Sequence, residues 1–450
     1  MQHKTATIIG AGLAGSLWAI YLAKAGYEVT IFETRSDIRQ ADITAGKSIN
    51  LALSTRGINA MDAVGIMDEI KPLLIPMTGR IMHPTEGELT YQPYGEEGQA
   101  INSISRGGVN AKMMDLAEAA GNVKILYSHK CVNVDFDTNT VFIEKRADKS
   151  IIEHTSDVIF ACDGAFSAVR YHGFQKLDRF DFSQDYIDDG YREILLPANA
   201  DGSYKLDKNA LHIWPRGRFM LIALANEDGS FTCTLFMPFE NDEYSFDKLK
   251  TKENVDTFFK NVFPDFHDLM PDIAAQWEDH PLSSLAIMRC YPWTHNKVAL
   301  MGDAAHATVP FYGQGMNGSL EDCFVMGELM KKHNEDWDAV FKEYQEVRKP
   351  NGDALQDLSL HNYKVMSESV ADPHYLLKKK FEHHIHELYP DKYLSLYSMV
   401  SFSNIPYAEA FEKGKEQDAF IEGIMKDYDI EKLFKMDGID DLIHHIFEDR

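Results

Sequence analysis

The 450-residue chain is short of cysteine and of positive charge, and each shortage removes a class of function. Five cysteines (131, 162, 233, 290 and 323) are an odd number, lie far apart and form no C-x-x-C pair. That excludes a disulfide framework and a zinc ribbon, and points to a reducing, cytoplasmic compartment. Forty-five Lys and Arg face 70 Asp and Glu, for a formal net charge of −25. Such a chain repels polyanions, so no nucleic-acid partner is expected, although a local basic pocket for a small anion stays open. No run is apolar over the ~20 residues that a bilayer span needs. Residues 5–23 carry no charge, but Gly10, Gly12 and Gly15 interrupt them. They run on past Lys24 into the strand-like YEVTIFE without a cleavage site. They read as strand, turn and helix rather than as a leader. Residues 393–408 are too short and too rich in Ser, Asn and Tyr to span. Internal repeats, low-complexity linkers, H-E-x-x-H and G-x-S-x-G are all missing. The histidines at 383, 384 and 386 read as a solvated helix face, and His444-His445 as surface, so no metal is expected.

What is present is ordinary in bulk: 44% hydrophobic and 26% charged residues, with length for two or three compact units. Residues 5–9 are β-branched and stop at Gly10, 13–25 are apolar and Ala-rich, and 27–33 form a second strand: a βαβ unit. Further strands are expected at 123–127, 140–144, 157–161 and 297–301. The alternating patterns within 204–240 predict antiparallel strands in a separate sheet. From about 320 the pattern turns helical.

Gly10-x-Gly12-x-x-Gly15 sits between strand and helix, and Glu33 ends the second strand eighteen residues after Gly15. A tight turn at Gly10, close approach of a pyrophosphate at Gly12, and helix–sheet packing at Gly15 make a dinucleotide site, with Leu13 and Ala14 opening the helix. Glu33 would accept hydrogen bonds from ribose hydroxyls. This motif does not separate FAD from NAD. A second element, KVALMGDAAH (297–306), is a strand, Gly302-Asp303 and small residues entering a helix. Asp303 could accept hydrogen bonds from the ribityl hydroxyls of FAD. Pro310-Phe311-Tyr312-Gly313-Gln314-Gly315-Met316-Asn317 follows, and the amides of that helix start would face the pyrimidine edge of a flavin. A third element, Asp163-Gly164-x-x-Ser167-x-Val169-Arg170, follows the strand DVIFA.

This third spacing resembles the DG motif of flavoprotein aromatic hydroxylases. All three elements stand in the order and spacing of that family, the class A FAD monooxygenases, over essentially the whole chain. SINLALSTRG (48–57), GRIMH (79–83), QPYG (92–95), SISR (103–106), LHIWPRG (211–217), VPFYGQGMN (309–317) and YSMVSFS (397–403) together resemble the kynurenine 3-monooxygenase branch.

The resemblance implies an α/β protein: a Rossmann-like FAD-binding domain with an inserted β-sheet substrate domain and a helical C-terminal region. The FAD-binding parts would be 1–75, 100–180 and 285–350, the substrate domain 76–99 and 181–284, and the helical region 351–450. It implies hydroxylation of L-kynurenine to 3-hydroxy-L-kynurenine with NADPH and O2, through a flavin C4a-hydroperoxide on non-covalently bound FAD. Hydroxylation of another anionic aromatic, or an oxygen-independent FAD reductase, are the alternatives. Arg80 would grip the substrate carboxylate, with Tyr94, Asn362 and Tyr397 completing the pocket. Arg106, Asp163, Gly164, Gly302, Asp303, Gly315, Met316 and Asn317 would contact FAD with the N-terminal glycine turn. Pro310, Phe311, Gly313, Gln314 and Gly315 would shield the flavin, and no side chain would act as nucleophile. From the residues alone Arg80 serves equally as a structural ion pair, and Arg170 as a structural or an NADPH residue. Two departures stand out. Val365 replaces a Glu usual in NY-x-EM, and the tail IDDLIHHIFEDR lacks the apolar membrane anchor of eukaryotic members, which fits a soluble bacterial-type enzyme. A homodimer is left open.

Overall fold

The computed structural model describes residues 4–40, 50–96, 98–366, 372–436 and 438–447. Residues 48–49 of the SINLALSTRG segment and 448–450 of the tail lie outside them. A six-stranded sheet runs in the order Thr294–His295, Val298–Leu300, Val158–Ala161, Lys4–Ile9, Tyr27–Glu33, Val123–Tyr127. All its pairings are parallel except the short outermost one. The four central strands are rich in Val, Ile, Phe and Ala because helices or loops cover both faces. The helix Leu13–Lys24 packs on this sheet with Leu17, Trp18 and Leu22 fully buried. Its apolar character all round, which superficially mimics a membrane span, is that of an enclosed helix.

A seven-stranded sheet is built from Leu282–Tyr291, Asp181–Leu196, Phe231–Pro238, Phe219–Ala225, Ala210–Arg216, Gly79–Met82 and Thr90–Pro93, in that order. Its strands are antiparallel except where Ala210–Arg216 meets Gly79–Met82, pairing Leu211 with Arg80. Period-two alternation splits its side chains between two jobs. Trp214, Phe231 and Leu235 face the helices Lys252–Val262 and Pro264–Leu269, in one core with Phe259, Phe263 and Trp277. Leu211, Ile213, Met220, Ile222 and Phe236 face a cavity. Two three-stranded sheets, from Asn50–Leu53, Ile101–Ser105 and Ile75–Met77, and from His129–Asp135, Thr140–Lys145 and Ile151–Thr155, were only partly foreseen. Their strands are short, and the sequence shows one clear run among them, at 140–144. From Gly315–Lys332 onward the described elements are helical, and the last of them form their own core around Phe381, Ile385, Ile421 and Ile443. No helix among the described residues is long and apolar enough to cross a membrane.

Candidate active site

The two large sheets enclose one continuous cavity of about 1280 Å³, with a polar half under the six-stranded sheet and an apolar half under the seven-stranded one.

The polar half is set by backbone geometry. Gly10 has φ +97°, and a Cβ there would sit 2.5 Å from the Cys162 carbonyl oxygen. A Cβ on Gly15 would lie 2.0 Å from the Gly10 carbonyl oxygen, so helix and turn touch only because residue 15 is a glycine. Gly12 is different: nothing stands within 4 Å of its missing Cβ, and that space belongs to the cavity. The helix Leu13–Lys24 begins here with no side-chain cap, leaving its first amides for an anion. Glu33 is buried, accepting from the Ala11 amide at 2.9 Å and from Arg35 Nε at 2.8 Å. Burial raises its pKa, but Arg35 and the amides outweigh that and leave it below the ordinary value. Asp163 Oδ2 accepts from the Ala168 and Val169 amides at 2.7 and 3.2 Å. Its Oδ1, with Asn110 Oδ1 and Thr308 Oγ1, is buried and has no hydrogen-bond partner among the described residues. Burial pushes the Asp163 and Asp303 carboxyls up, and for Asp303 the charge of Arg106 pulls the other way. An open glycine cradle, uncapped amides and orphaned acceptors at the cavity wall are what a dinucleotide with ribityl and ribose hydroxyls would satisfy. The residues fit FAD.

Among the described residues, the apolar half has one cation. Arg80 lines the cavity and donates from Nε to Gln92 Oε1 at 2.8 Å, and no carboxylate among the described residues pairs with it. Facing it is a stack of three tyrosines. Tyr94 and Tyr397 have ring centroids 5.1 Å apart at 12°, and Tyr397 and Tyr312 are 5.8 Å apart at 19°. Burial drives the Tyr94 and Tyr312 hydroxyls well above their ordinary pKa, and Tyr397 to about 12, with the Arg80 charge opposing. All three stay neutral donors at physiological pH. Asn362 reaches the wall but commits its Nδ2 to the Phe311 carbonyl at 2.7 Å, which ties the helix Trp337–Lys364 to the loop. Phe311 stacks on Tyr363 at 4.0 Å.

Of the residues singled out in the sequence, Gly10, Gly12, Leu13, Ala14, Glu33, Arg106, Asp163, Gly164, Asp303, Pro310, Phe311, Gly313, Gly315, Met316, Arg80, Tyr94, Asn362 and Tyr397 line this cavity. Gly15, Gly302, Gln314 and Asn317 do not, and stand behind the wall. Asn317 accepts from the Ser54 amide at 2.9 Å and donates to the Ala52 and Gly313 carbonyls at 2.8 and 3.0 Å. Gln314 accepts from the Tyr407 hydroxyl at 3.0 Å. Val365 packs among Phe311, Tyr363 and Met366 and is absent from the cavity wall. Arg170 is buried, with its guanidinium on the Ala304 and Ala165 carbonyls. The histidines at 383, 384 and 386 meet Glu387, Asp440 and Glu96, and no metal-binding cluster occurs among the described residues. Arg35, Asn110, Thr308 and the role of Tyr312 went unnoticed in the sequence; an isolated Asn or Thr carries no pattern.

A model of the FAD binding domain family matches residues 3–359. The kynurenine 3-monooxygenase of Flavobacterium johnsoniae is 45% identical over 442 residues, covering 98% of each chain. That of Dictyostelium discoideum is 41% identical, covering 96% of each. That of Sus scrofa is 41% identical over 94% of this chain and 88% of its own. Solved structures with the same fold include 2-methyl-3-hydroxypyridine-5-carboxylic acid oxygenase, with TM-score 0.67 and 18% identity over 84% of this chain and 96% of that one. The tetracycline destructase Tet(55) has TM-score 0.65 and 17% identity over 90% and 98%. With the FAD-binding model spanning most of its length and relatives matched almost end to end, this chain belongs to the kynurenine 3-monooxygenase family of FAD-dependent aromatic hydroxylases.

Proposed function

We propose that the apolar half of the cavity is the seat of the substrate and that Arg80 holds its carboxylate. The enzyme is an NADPH-dependent flavoprotein monooxygenase that converts L-kynurenine to 3-hydroxy-L-kynurenine with O2. When bound, FAD supplies the redox chemistry, accepting a hydride from NADPH and delivering one oxygen atom to the ring. The chain's own residues bind, orient and keep water out. Gly10, Gly12, Leu13, Ala14, Glu33, Arg106, Asp163, Gly164 and Asp303 hold the cofactor in this reading, with Gly15 and Gly302 shaping the turns from behind the wall. The helix Gly315–Lys332 presents its first amides and the positive end of its dipole to charge that develops at the site.

The observation that carries the reading is the lone guanidinium. A cation on a largely apolar wall with no carboxylate beside it is costly unless an anion arrives. Arg80 can meet an α-carboxylate in a two-pronged geometry while the neutral Tyr94 hydroxyl donates to it. The flat Tyr94–Tyr397–Tyr312 stack and Phe236, Met220 and Ile222 make a slot for an aromatic ring. Residues 76–99 and 181–284 form its roof. Pro310 to Gly315, pinned by Asn362 and Asn317, keep solvent from the reacting end. Five free, buried cysteines support a cytoplasmic location.

The test is NADPH oxidation by the FAD-loaded protein in air, with and without L-kynurenine, with the product mass read alongside. Strong stimulation with a product heavier by one oxygen atom supports the reading. Stimulation with only hydrogen peroxide, or none, overturns the substrate.

A further inference from the structure

Behind the cavity wall lies a chain of charges that the reaction does not touch. Arg56 is 1% exposed, at the start of the helix Thr55–Asp62. Its Nη1 meets Glu321 Oε1 at 2.5 Å, and the other oxygen of Glu321 meets Arg348 Nη1 at 2.6 Å. Arg348 Nε then donates to Asp322 Oδ1 at 2.7 Å. Asp322 Oδ2 accepts from the Gly302 amide at 2.8 Å and from His306 Nε2 at 2.6 Å. The four carboxylate oxygens thus face three elements, with Arg348 shared between Glu321 and Asp322. Two guanidinium groups face the two carboxylates, and the His306 ring adds an Nε2–H donor to Asp322.

The two ends of this chain reach the two halves of the cavity. At one end, Asp322 grips both the first and the last residue of the turn Gly302 to His306, which carries Asp303 to the polar half. At the other, Arg56 donates to the carbonyls of Val400 and Ile405 and lies over the Tyr407 ring at 3.9 Å. Val400 belongs to the helix Leu396–Ser401, three residues after Tyr397. The carbonyls at a helix end have no partner within the helix, and Arg56 provides one. An apolar side chain of the same length would fill the space but leave two carbonyls and half of Glu321 unpaired.

We propose that Arg56 is a positioning residue, which through Glu321, Arg348 and Asp322 holds the Tyr397 wall in register with the turn that carries Asp303. The inference rests on the reading of Tyr397 as a substrate contact. It explains why Glu321 and Asp322 are buried within the helix Gly315–Lys332, and why the C-terminal helices are tied by charge to an N-terminal one.

The test uses the full, FAD-loaded chain as wild type, Arg56→Met, Arg56→Lys and Glu321→Gln. Two quantities are read: the dissociation constant of L-kynurenine from flavin fluorescence, and hydrogen exchange of segments 396–406 and 302–306. Arg56→Met should weaken L-kynurenine about tenfold or more and speed exchange at 396–406, with FAD retained and exchange at 302–306 unchanged. Arg56→Lys, which keeps the charge beside Glu321 but cannot reach both carbonyls, should fall between. Unchanged affinity and exchange in Arg56→Met overturn the proposal. So does loss of FAD in step with substrate, which marks a general packing role. If Arg56→Met does not fold, Arg56→Lys and Glu321→Gln carry the same comparison. Should wild type itself fail to bind L-kynurenine, the substrate reading falls, and the exchange contrast alone decides on the brace.

Discussion

The two halves of the cavity are made in different ways. The polar half comes from short contiguous motifs, Gly10 to Gly15, Asp163-Gly164 and Gly302-Asp303, each at the end of a parallel strand. The apolar half draws single residues from 80, 94, 220, 236, 312, 362 and 397, brought together by the seven-stranded sheet and three helical segments. The first is backbone geometry that tolerates almost no side-chain change; the second is a surface whose members can vary one at a time. Cofactor binding should therefore fail abruptly and substrate binding by degrees.

The sharpest break is expected at Gly15. Gly15→Ala places a methyl 2.0 Å from the Gly10 carbonyl oxygen, against backbone that cannot retreat. A cost above about 3 kcal/mol is expected, seen as protein purified without bound flavin or as failure to fold. In the other half, Arg80→Met should leave flavin content intact and raise the dissociation constant for L-kynurenine about 100-fold, the loss of a charge pair in a partly buried setting. Flavin lost together with substrate would erase the distinction between the halves.

Acid separates two classes of carboxylate. Asp322, held to about 2 from 3.8 by His306 and Arg348 despite its burial, stabilises the fold above pH 3.8. That contribution, about 2 kcal/mol, is lost as the pH falls from about 4 toward 2. Asp163 and Asp303 carry the opposite sign. Their raised pKa means that the FAD-free folded state takes up protons before the unfolded chain does, so it gains stability as pH falls toward 3.8. Urea unfolding of FAD-free and FAD-loaded protein across this range should show the gain only without FAD, whose hydroxyls pair with the ionised acids. A matching gain in the loaded protein would remove these acids from the cofactor site. The smallest effect is expected for Tyr397→Phe, which keeps the ring stack and removes one hydroxyl: about 1 kcal/mol, or roughly fivefold in substrate affinity.

The same division governs what could be read from the sequence. The βαβ unit, the cofactor motifs and the alternating strands of the large sheet were visible because each is local in the chain. The pocket residues were reached only through likeness to a family, since an isolated Arg80 or Tyr397 has no spacing to betray it. The brace from Arg56 to Asp322 was not seen, because a charged residue in a helix reads as solvent-facing until the fold buries it. The small sheet of Asn50–Leu53, Ile75–Met77 and Ile101–Ser105 escaped for the same reason: its strands are short and distant in sequence.

The helix Leu396–Ser401 also has a bearing on how the protein is made. On the ribosome, the described residues of the cofactor half are complete once Ser319 has emerged, whereas Tyr397 is still 78 residues away (397 minus 319). At about 5–20 residues per second that is a delay of roughly 4–16 s. For that interval the wall that Tyr397 completes is missing from the nascent chain, so the substrate half of the cavity is the last part of the site to close.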